Sequence, residues 1–323
     1  MTVDATWMEA PVVLGAGPVG RAVAAELSRR GRPPTVVTRS GTPVPGATAV
    51  AGDVTDAAGL AALLRDRGAG VVFQCAQPDY HRWPAEFPAL QAAVVDASAA
   101  VGARLVVVEN LYGYGPHDGP LTERTPLAAT TRKGRVRAEM WRALRAAHEE
   151  GRVAALAVRA SDFFGPGVTG SAFGERFVDP LLAGRPAEIY GPPEHRHSIT
   201  YVPDLASAMV ELATHDRAYG AAWHAPNEPP ISIDELVRQI ATAAGTTPRV
   251  RRLRPWQLRL AGLFVPAARE SVEMLYEFDD DLVVDDSAGR AEFGLGSTPR
   301  EHQIAETVAA HRAAAGVDAA RAS

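Results

Sequence analysis

The stretch GAGPVG, which begins at Gly15, has the residue types and the spacing that bind a diphosphate. Gly15 permits a tight turn, Gly17 lets the backbone come close to a pyrophosphate, and Gly20 lets the following helix pack against the preceding strand. Pro18 and Val19 open that helix, whose free N–H groups attract phosphate oxygens. Because the strand PVVLG comes directly before it, the sequence predicts a dinucleotide-binding loop.

The residues after the second strand indicate which dinucleotide binds. An acidic side chain at this place would hold the ribose hydroxyls of NAD, but the sequence has Thr38, Arg39 and Ser40 there. A guanidinium binds a 2′-phosphate, which a carboxylate would repel. We therefore expect NADPH as the cofactor; the alternative is that Arg39 is an ordinary surface arginine.

Short β-branched runs alternate with helical stretches over the first half of the chain. Parallel strands need crossover helices, so this alternation predicts an α/β fold with a Rossmann-type doubly wound parallel sheet. We expect residues 1–160 to form the NADP-binding domain, together with about residues 196–227. Residues 161–323 should mainly form a smaller, discontinuous C-terminal cap that binds the substrate.

Composition and charge exclude several classes of protein. A chain of 323 residues with 46% apolar residues can bury a large core, and its net charge of −5 gives no general attraction to nucleic acid or to an anionic membrane. The sequence shows neither an apolar run of ~20 residues nor the pattern of a signal peptide. A single cysteine, Cys75, fits a reducing cytoplasm. We expect a cytoplasmic enzyme without a metal ion; whether it is a monomer or a dimer stays open.

Several stretches together resemble the extended short-chain dehydrogenases/reductases of the NAD-dependent epimerase/dehydratase family. They are GAGPVG, GDVTD, VVFQCAQ, VVVENLYGYGP, RASDFFGPG, SITYVPDLASAMVEL and FGLGSTPREHQIAETV. The similarity covers nearly the whole chain. The further cofactor contacts that it implies are Asp53, Val54, Ala76, Gln77, Asn110, Ser161 and Phe164.

The catalytic positions of that family hold other residue types in this chain. Relatives carry a serine after the fifth strand and a Tyr-x-x-x-Lys pair that ends four residues before a glutamate. Counting back from the glutamate of TTRKGRVRAEM places Arg135 at the lysine and Thr131 at the tyrosine, and the serine falls on Asn110. Taking Lys133 as the lysine puts Ala129 at the tyrosine. The tyrosine is a general acid worth about 10²–10⁴ in rate, and neither threonine nor arginine replaces it.

Three other sources of the catalytic proton stay open: the two tyrosines of one loop, a histidine of the next loop, and the substrate. Tyr112 and Tyr114 follow the fifth strand, although the family's tyrosine in this loop is usually structural, and His117 lies on the next loop. The third donor is the substrate itself, because a phenol beside a ketone holds its proton at intramolecular distance. A chain that has lost catalysis would instead be an NADP(H)-sensing regulator.

The cap narrows the substrate class. Nucleotide-sugar enzymes of the family place an arginine for the substrate phosphate where this chain has His197, and the neighbouring Arg196 should face the other way. The cap also offers apolar groups that suit a flat ligand: Trp256, Leu260, Phe264, Met274, Leu275 and Phe278. The alternative is that most of these form the core of the cap.

These substitutions resemble those of atypical reductases of aromatic polyketide pathways in antibiotic biosynthesis, such as angucyclinone ketoreductases. The resemblance implies an NADPH-dependent ketoreductase that reduces a ring ketone of an aromatic substrate. Asn110, Thr131 and Ser161 would line the site, and the proton would come from the substrate or from water. The competing enzyme hypothesis is a nucleotide-sugar epimerase or dehydratase that keeps its cofactor bound.

Overall fold

The computed structural model describes residues 8, 10–263 and 270–322. Its central sheet contains β1 (Pro11–Leu14), β2 (Thr35–Thr38), β3 (Thr48–Ala51), β4 (Val71–Gln74), β5 (Arg104–Asn110), β6 (Ala155–Ala160) and β11 (Ala222–His224). The strand order is β3-β2-β1-β4-β5-β6-β11, and every neighbouring pair is parallel. The predicted doubly wound α/β fold is confirmed.

Helices cover both faces of this sheet. Their bounds are α1 Pro18–Arg29, α2 Ala57–Asp66, α3 Trp83–Val101, α4 Arg132–Glu149 and α6 Val202–Ala213. Helices α1 and α6 pack together on one face, while α2, α3 and α4 pack side by side on the other. Successive strand residues point to opposite faces of the sheet. Val13 therefore packs in the core between the sheet and α1 and α6, whereas Val12 and Leu14 pack in the core between the sheet and α2, α3 and α4.

The C-terminal part is built from short strand pairs and helices. The strands are β7 Asp162–Phe164, β8 Ala187–Ile189, β9 Arg196–His197, β10 Ile199–Tyr201, β12 Ile231–Ser232 and β13 Val250–Arg252. The helices are α5 Glu175–Leu182, α7 Ile233–Ala244, α8 Pro255–Ala261, α9 Ser287–Phe293 and α10 Arg300–Ala322. Strand β7 pairs with β10, β8 with β13, and β9 with β12. A separate core, to which Phe164 and Phe173 belong, holds this part together.

The basic run PRVRRLRP, at residues 248–255, lies in the C-terminal part of the chain. It forms β13, whose three side chains are all exposed, and Arg251 forms an ion pair with Glu188 on the neighbouring strand. The run is thus a solvated strand, as its sequence indicates. In the part of the chain that the structure describes, no helix is both long and apolar enough to cross a bilayer.

Candidate active site

A cavity of about 450 Å³ lies at the carboxyl edge of the central sheet, where α/β proteins of this topology bind their ligands. Many of the predicted site residues line it: Gly15, Gly17, Pro18, Val19, Arg39, Asp53, Val54, Ala76, Gln77 and Asn110. The remaining predicted residues are not among its lining: Gly20, Ser40, Tyr112, Tyr114, Thr131, Ser161 and Phe164. Gly20 and Ser40 belong to the outer end of the cavity, where the dinucleotide was predicted, whereas the other five were predicted near the inner end, where catalysis was expected.

The glycine-rich loop has the backbone geometry that a diphosphate needs. Gly15 has φ +94°, and a Cβ on Gly20 would lie 2.1 Å from the Gly15 carbonyl oxygen, so neither position accepts a side chain without strain. A Cβ on Gly17 would meet nothing within 4 Å, because this residue borders the cavity. Gly17 also begins α1 without any side-chain cap, which leaves N–H groups available. The loop therefore fits the pyrophosphate of a dinucleotide.

Arg39 and Asp53 lie next to each other at the outer end of the cavity. The pKa of Asp53 is lowered, mainly by hydrogen bonds from the Thr55 hydroxyl and backbone N–H and also by the charge of Arg39. The exposed Ser40 hydroxyl is 2.7 Å from that of Thr42. This end of the cavity therefore presents a guanidinium, that of Arg39, beside a carboxylate.

The inner end of the cavity differs from what the alignment of TTRKGRVRAEM predicts. Thr131 is the N-cap of α4, and its hydroxyl accepts the Gly134 N–H at 3.1 Å. Arg135 is exposed and donates to the carbonyl of Thr130. Thr131 is not among the residues that line the cavity, and its hydroxyl begins the helix, so its role in the site stays a prediction.

Two cations on the inward face of α4, each two residues after the aligned tyrosine and lysine positions, were not predicted as site residues. Lys133 and Arg137 lie one turn apart and are both buried, with Val136, Met140 and Trp141 on the same side of the helix. The apolar spacing of that face was the signal that could have found them.

Lys133 joins the helix to the C-terminal part. Its ammonium lies 2.5 Å from the Glu270 carboxylate and 3.1 Å from that of Glu273, and its side chain is 0% exposed. The same ammonium lies 4.5 Å from the centre of the Tyr80 ring. Lys133 is thus fixed by two carboxylates.

Arg137 lines the cavity instead. Its Nη2 donates to the Val108 carbonyl at 3.2 Å, and the rings of Trp83 and Phe87 lie 5.7 and 4.8 Å from its guanidinium carbon. Among the described residues, neither Nε nor Nη1 has a hydrogen-bond partner.

The two candidate tyrosines are held by other side chains. The Tyr114 hydroxyl accepts from Arg159 at 2.9 Å and lies 2.7 Å from Nε2 of His224, in a buried network. The Tyr112 hydroxyl accepts from Tyr80 at 3.5 Å. Burial raises the pKa of both Tyr112 and Tyr114, which makes each a weaker acid than a free tyrosine.

Near Ser161, the cavity is lined by Phe163 rather than by the predicted Phe164. Phe164 belongs to the core of the C-terminal part, whereas Phe163, whose side chain points to the opposite side of the strand, lines the cavity. Ser161 is buried, and its hydroxyl has no partner among the described residues. Asn110 lines the cavity, and its Oδ1 accepts the Tyr112 N–H at 3.3 Å.

Several polar side chains meet beside this end without having been predicted. His197 is buried, stacks on Phe278 at 5.0 Å and donates from Nε2 to Asp162 at 2.9 Å. Glu277 is also buried, and burial, followed by the charge of Asp162, raises its pKa well above 4.5. No metal-binding group of three or more His, Cys, Asp or Glu occurs among the described residues.

Arg196 and the apolar residues of the cap also have definite positions. Arg196 is exposed and paired with Asp281 at 2.8 Å, so it faces away from His197 as expected. Met274 and Phe278 are buried, Leu275 is half-buried, and Trp256 and Leu260 are exposed. Phe264 lies outside the described residues.

Comparison with known proteins identifies the family. An uncharacterized protein, y4nL of Sinorhizobium fredii, is 30% identical over 152 residues, which are 46% of this chain and 42% of that protein, so the match spans less than half of either. A putative epimerase from Burkholderia cenocepacia has a TM-score of 0.76 and 20% identity, with 94% of this chain and 98% of that chain covered.

MoeE5, solved in complex with UDP-glucose and NAD, has a TM-score of 0.75 and 23% identity over 94% of this chain and 99% of its own. At such identities the two structures show a shared fold alone. The model of the NAD dependent epimerase/dehydratase family matches residues 12–223, which is more than half of the chain. The chain therefore belongs to the NAD dependent epimerase/dehydratase family.

Proposed function

We propose that the protein is an NADPH-dependent ketoreductase that reduces a ring ketone of a hydroxylated aromatic substrate without a Ser-Tyr-Lys triad. The observation that carries the proposal is the composition of the cavity. Its outer end fits a dinucleotide, whereas its inner end offers Asn110, Arg137 and Phe163 and has no tyrosine among its lining residues. A bound NADPH supplies hydride, so the protein has only to hold the ketone and direct a proton to its oxygen.

The proton in this proposal comes from the substrate or from water. Thr131 caps a helix, and the hydroxyls of Tyr112 and Tyr114 are held by Tyr80 and Arg159. A phenol next to the ketone would hold its proton close to the oxygen that needs it. This is the chemistry expected of an angucyclinone ketoreductase, such as the one of simocyclinone biosynthesis, although the comparisons with known proteins do not support identity with that enzyme.

The preference for NADPH rests on Arg39. We expect NADPH to bind at least tenfold more tightly than NADH, which corresponds to about 1.4 kcal/mol. In Arg39→Ala this difference should disappear, and fluorescence titration of both cofactors measures it. Equal affinities in the unmodified protein would contradict the assignment.

A nucleotide-sugar epimerase or dehydratase is the second candidate. It is favoured by the family and by MoeE5, which was solved with UDP-glucose. Against it, Arg196 is paired with Asp281 and His197 is buried against Phe278, so this strand offers no free arginine to a diphosphate. NAD that stays bound through purification would favour this candidate. Tight cofactor binding without any turnover would favour a sensing regulator.

The decisive experiment follows NADPH oxidation with pairs of aromatic ketones. A ketone flanked by a free hydroxyl should be reduced, while its methyl ether should bind but react far more slowly, because it cannot donate a proton. Binding of the ether is measured separately to exclude a steric clash. If the ether still reacts and Tyr112→Phe or Tyr114→Phe abolishes turnover, the donor lies in the loop after β5 and the mechanism is wrong.

A further inference from the structure

One acidic and two basic side chains lie close together at the inner end of the cavity. They are Glu109, Arg137 and Arg159, and each is 4% exposed. Arg159 donates to the Glu109 carboxylate at 3.0 Å, and Arg137 lies within electrostatic range of both. One carboxylate thus faces two guanidinium groups.

The titratable groups around this cluster include one more carboxylate, Glu123, whose charge acts on Tyr114 and His224. Burial lowers the pKa of His224 and raises that of Tyr112 and Tyr114, so all three are neutral near pH 7. Among the described residues, Arg159 is ion-paired with Glu109, whereas Arg137, which is 4% exposed, has no direct ion pair. A buried charge is costly unless an opposite charge and hydrogen bonds compensate it.

Arg137 and Glu109 both line the cavity, and of these two only Arg137 can donate hydrogen bonds to a ligand. Two of the three guanidinium nitrogens of Arg137 have no partner among the described residues. The rings of Trp83 and Phe87 flank the group and limit its movement. The unused donors call for an acceptor oxygen in the cavity, and a guanidinium binds an anionic oxygen most strongly.

The position of Arg137 indicates which molecule carries that oxygen. Along the sheet, Arg39 follows β2, the glycine-rich loop follows β1, and Arg137 is bonded to Val108 in β5. The phosphates of a dinucleotide would lie at the first two places. Arg137 lies two strands beyond the loop, at the end where the reacting ketone would be, so its anionic partner belongs to the substrate.

We propose that Arg137 binds the phenol oxygen of the ketone substrate and stabilises the phenolate formed during reduction; this rests on the proposed function. Hydride delivery to the carbonyl carbon moves the C=O π electron pair onto oxygen and gives an alkoxide. The alkoxide oxygen takes the phenol proton, the phenol O–H bond breaks, and its electron pair stays on the phenolate oxygen beside Arg137. Charge stabilisation of this kind favours the transition state because the donors are already in place.

The test measures the acidity of a bound phenol rather than turnover. In the protein saturated with NADPH, 4-nitrophenol should bind as its coloured phenolate, with an apparent pKa at least about one unit below that in solution, a tenfold shift in the ratio of the two forms. Arg137→Met should abolish the shift. Arg135→Met removes an exposed arginine of the same helix and should leave the shift unchanged. Arg137→Lys keeps the charge and should retain part of the shift, which gives a reading if the methionine variant does not fold.

Several results would overturn the assignment. It is wrong if bound 4-nitrophenol titrates as it does in solution, or if Arg137→Met leaves the shift intact. It is also wrong if Arg137→Met weakens 2′-phospho-ADP-ribose but not 2′-phospho-ADP, because the guanidinium then serves the cofactor ribose. Failure of the unmodified protein to bind any nicotinamide dinucleotide would overturn the proposed function itself, and the titration with NADPH that precedes the test shows this separately.

Discussion

The outer and inner ends of the cavity are built in different ways. At the outer end, short stretches that directly follow β1, β2 and β3 place Gly15, Arg39 and Asp53, and much of the recognition surface is backbone. Beside the inner end, on the same helix as Arg137, side chains from separate elements meet: Lys133 is held by Glu270 and Glu273, about 140 residues away in sequence. Local sequence therefore determines the first end, whereas tertiary packing determines the second.

The largest change in the free energy of unfolding is expected when the ion pairs of Lys133 with Glu270 and Glu273 are removed. Lys133→Met replaces a fully buried ammonium with an apolar side chain of similar length and removes the cation that contacts both Glu270 and Glu273. Loss of one partner from a buried ion pair costs about 3–5 kcal/mol, and the partial exposure of the two glutamates favours the lower value. Chemical denaturation measures the change.

Arg135→Met is the matched control, since this exposed arginine is two residues further along the same helix. It should change the free energy of unfolding by less than about 0.5 kcal/mol. Equal stability of Lys133→Met and the unmodified protein would mean that the inner end does not depend on this ion pair.

Sequence reasoning succeeded where a motif and its surrounding elements occupy one continuous stretch. GAGPVG joins β1 directly to α1, so its geometry could be predicted from the amino-acid sequence alone. The residues of α4 were placed instead by counting from a glutamate, and this selected Thr131 and Arg135. The helix in fact turns Lys133 and Arg137 inward, because its orientation is set by the apolar face that packs on the sheet.

The carboxyl groups of the inner end could not be predicted for a related reason. Glu277 is not near Asp162 in sequence, and its polarity alone would predict an exposed residue. Only the packing of the 3₁₀ helix Val272–Phe278 against the sheet domain brings the two together. Likewise, nothing in the spacing of VVVENLYGYGP shows that Tyr114 bonds to His224, which lies on a strand that joins the sheet much later in the chain.

The second prediction concerns the pH dependence that Glu277 confers. Its neighbours are Asp162, Tyr80, Tyr112 and Tyr276, and burial raises its pKa well above the ordinary value of 4.5. The folded protein therefore keeps this proton at pH values where the unfolded chain has released it. The contribution of Glu277 to the free energy of unfolding is therefore greatest below about pH 4.5. It decreases as the pH rises toward the pKa of Glu277 in the folded protein.

Glu277→Gln should remove this loss, since an amide cannot ionise. The variant should melt at a higher temperature than the unmodified protein at about pH 8, and the difference should vanish near pH 4. Thermal unfolding across this range measures it. A stability difference that is the same at every pH would show that Glu277 is ionised in the folded protein, and that the inner end is more accessible to water than its burial indicates.

The smallest effect is expected at Thr131, and it separates a structural role from a catalytic one. Thr131→Val removes the hydroxyl that accepts the Gly134 N–H but keeps the shape of the side chain. Loss of such a cap costs about 1 kcal/mol of stability, and Thr131→Ser, which keeps the hydroxyl, should restore most of it. Because this hydroxyl begins α4 and does not line the cavity, turnover of a hydroxylated aromatic ketone should stay appreciable in both variants. A fall in kcat of about 10³ or more in Thr131→Val, with Thr131→Ser fully active, is the size expected of a general acid; that result would place the proton donor on the protein at the start of α4 and remove the need for a substrate phenol.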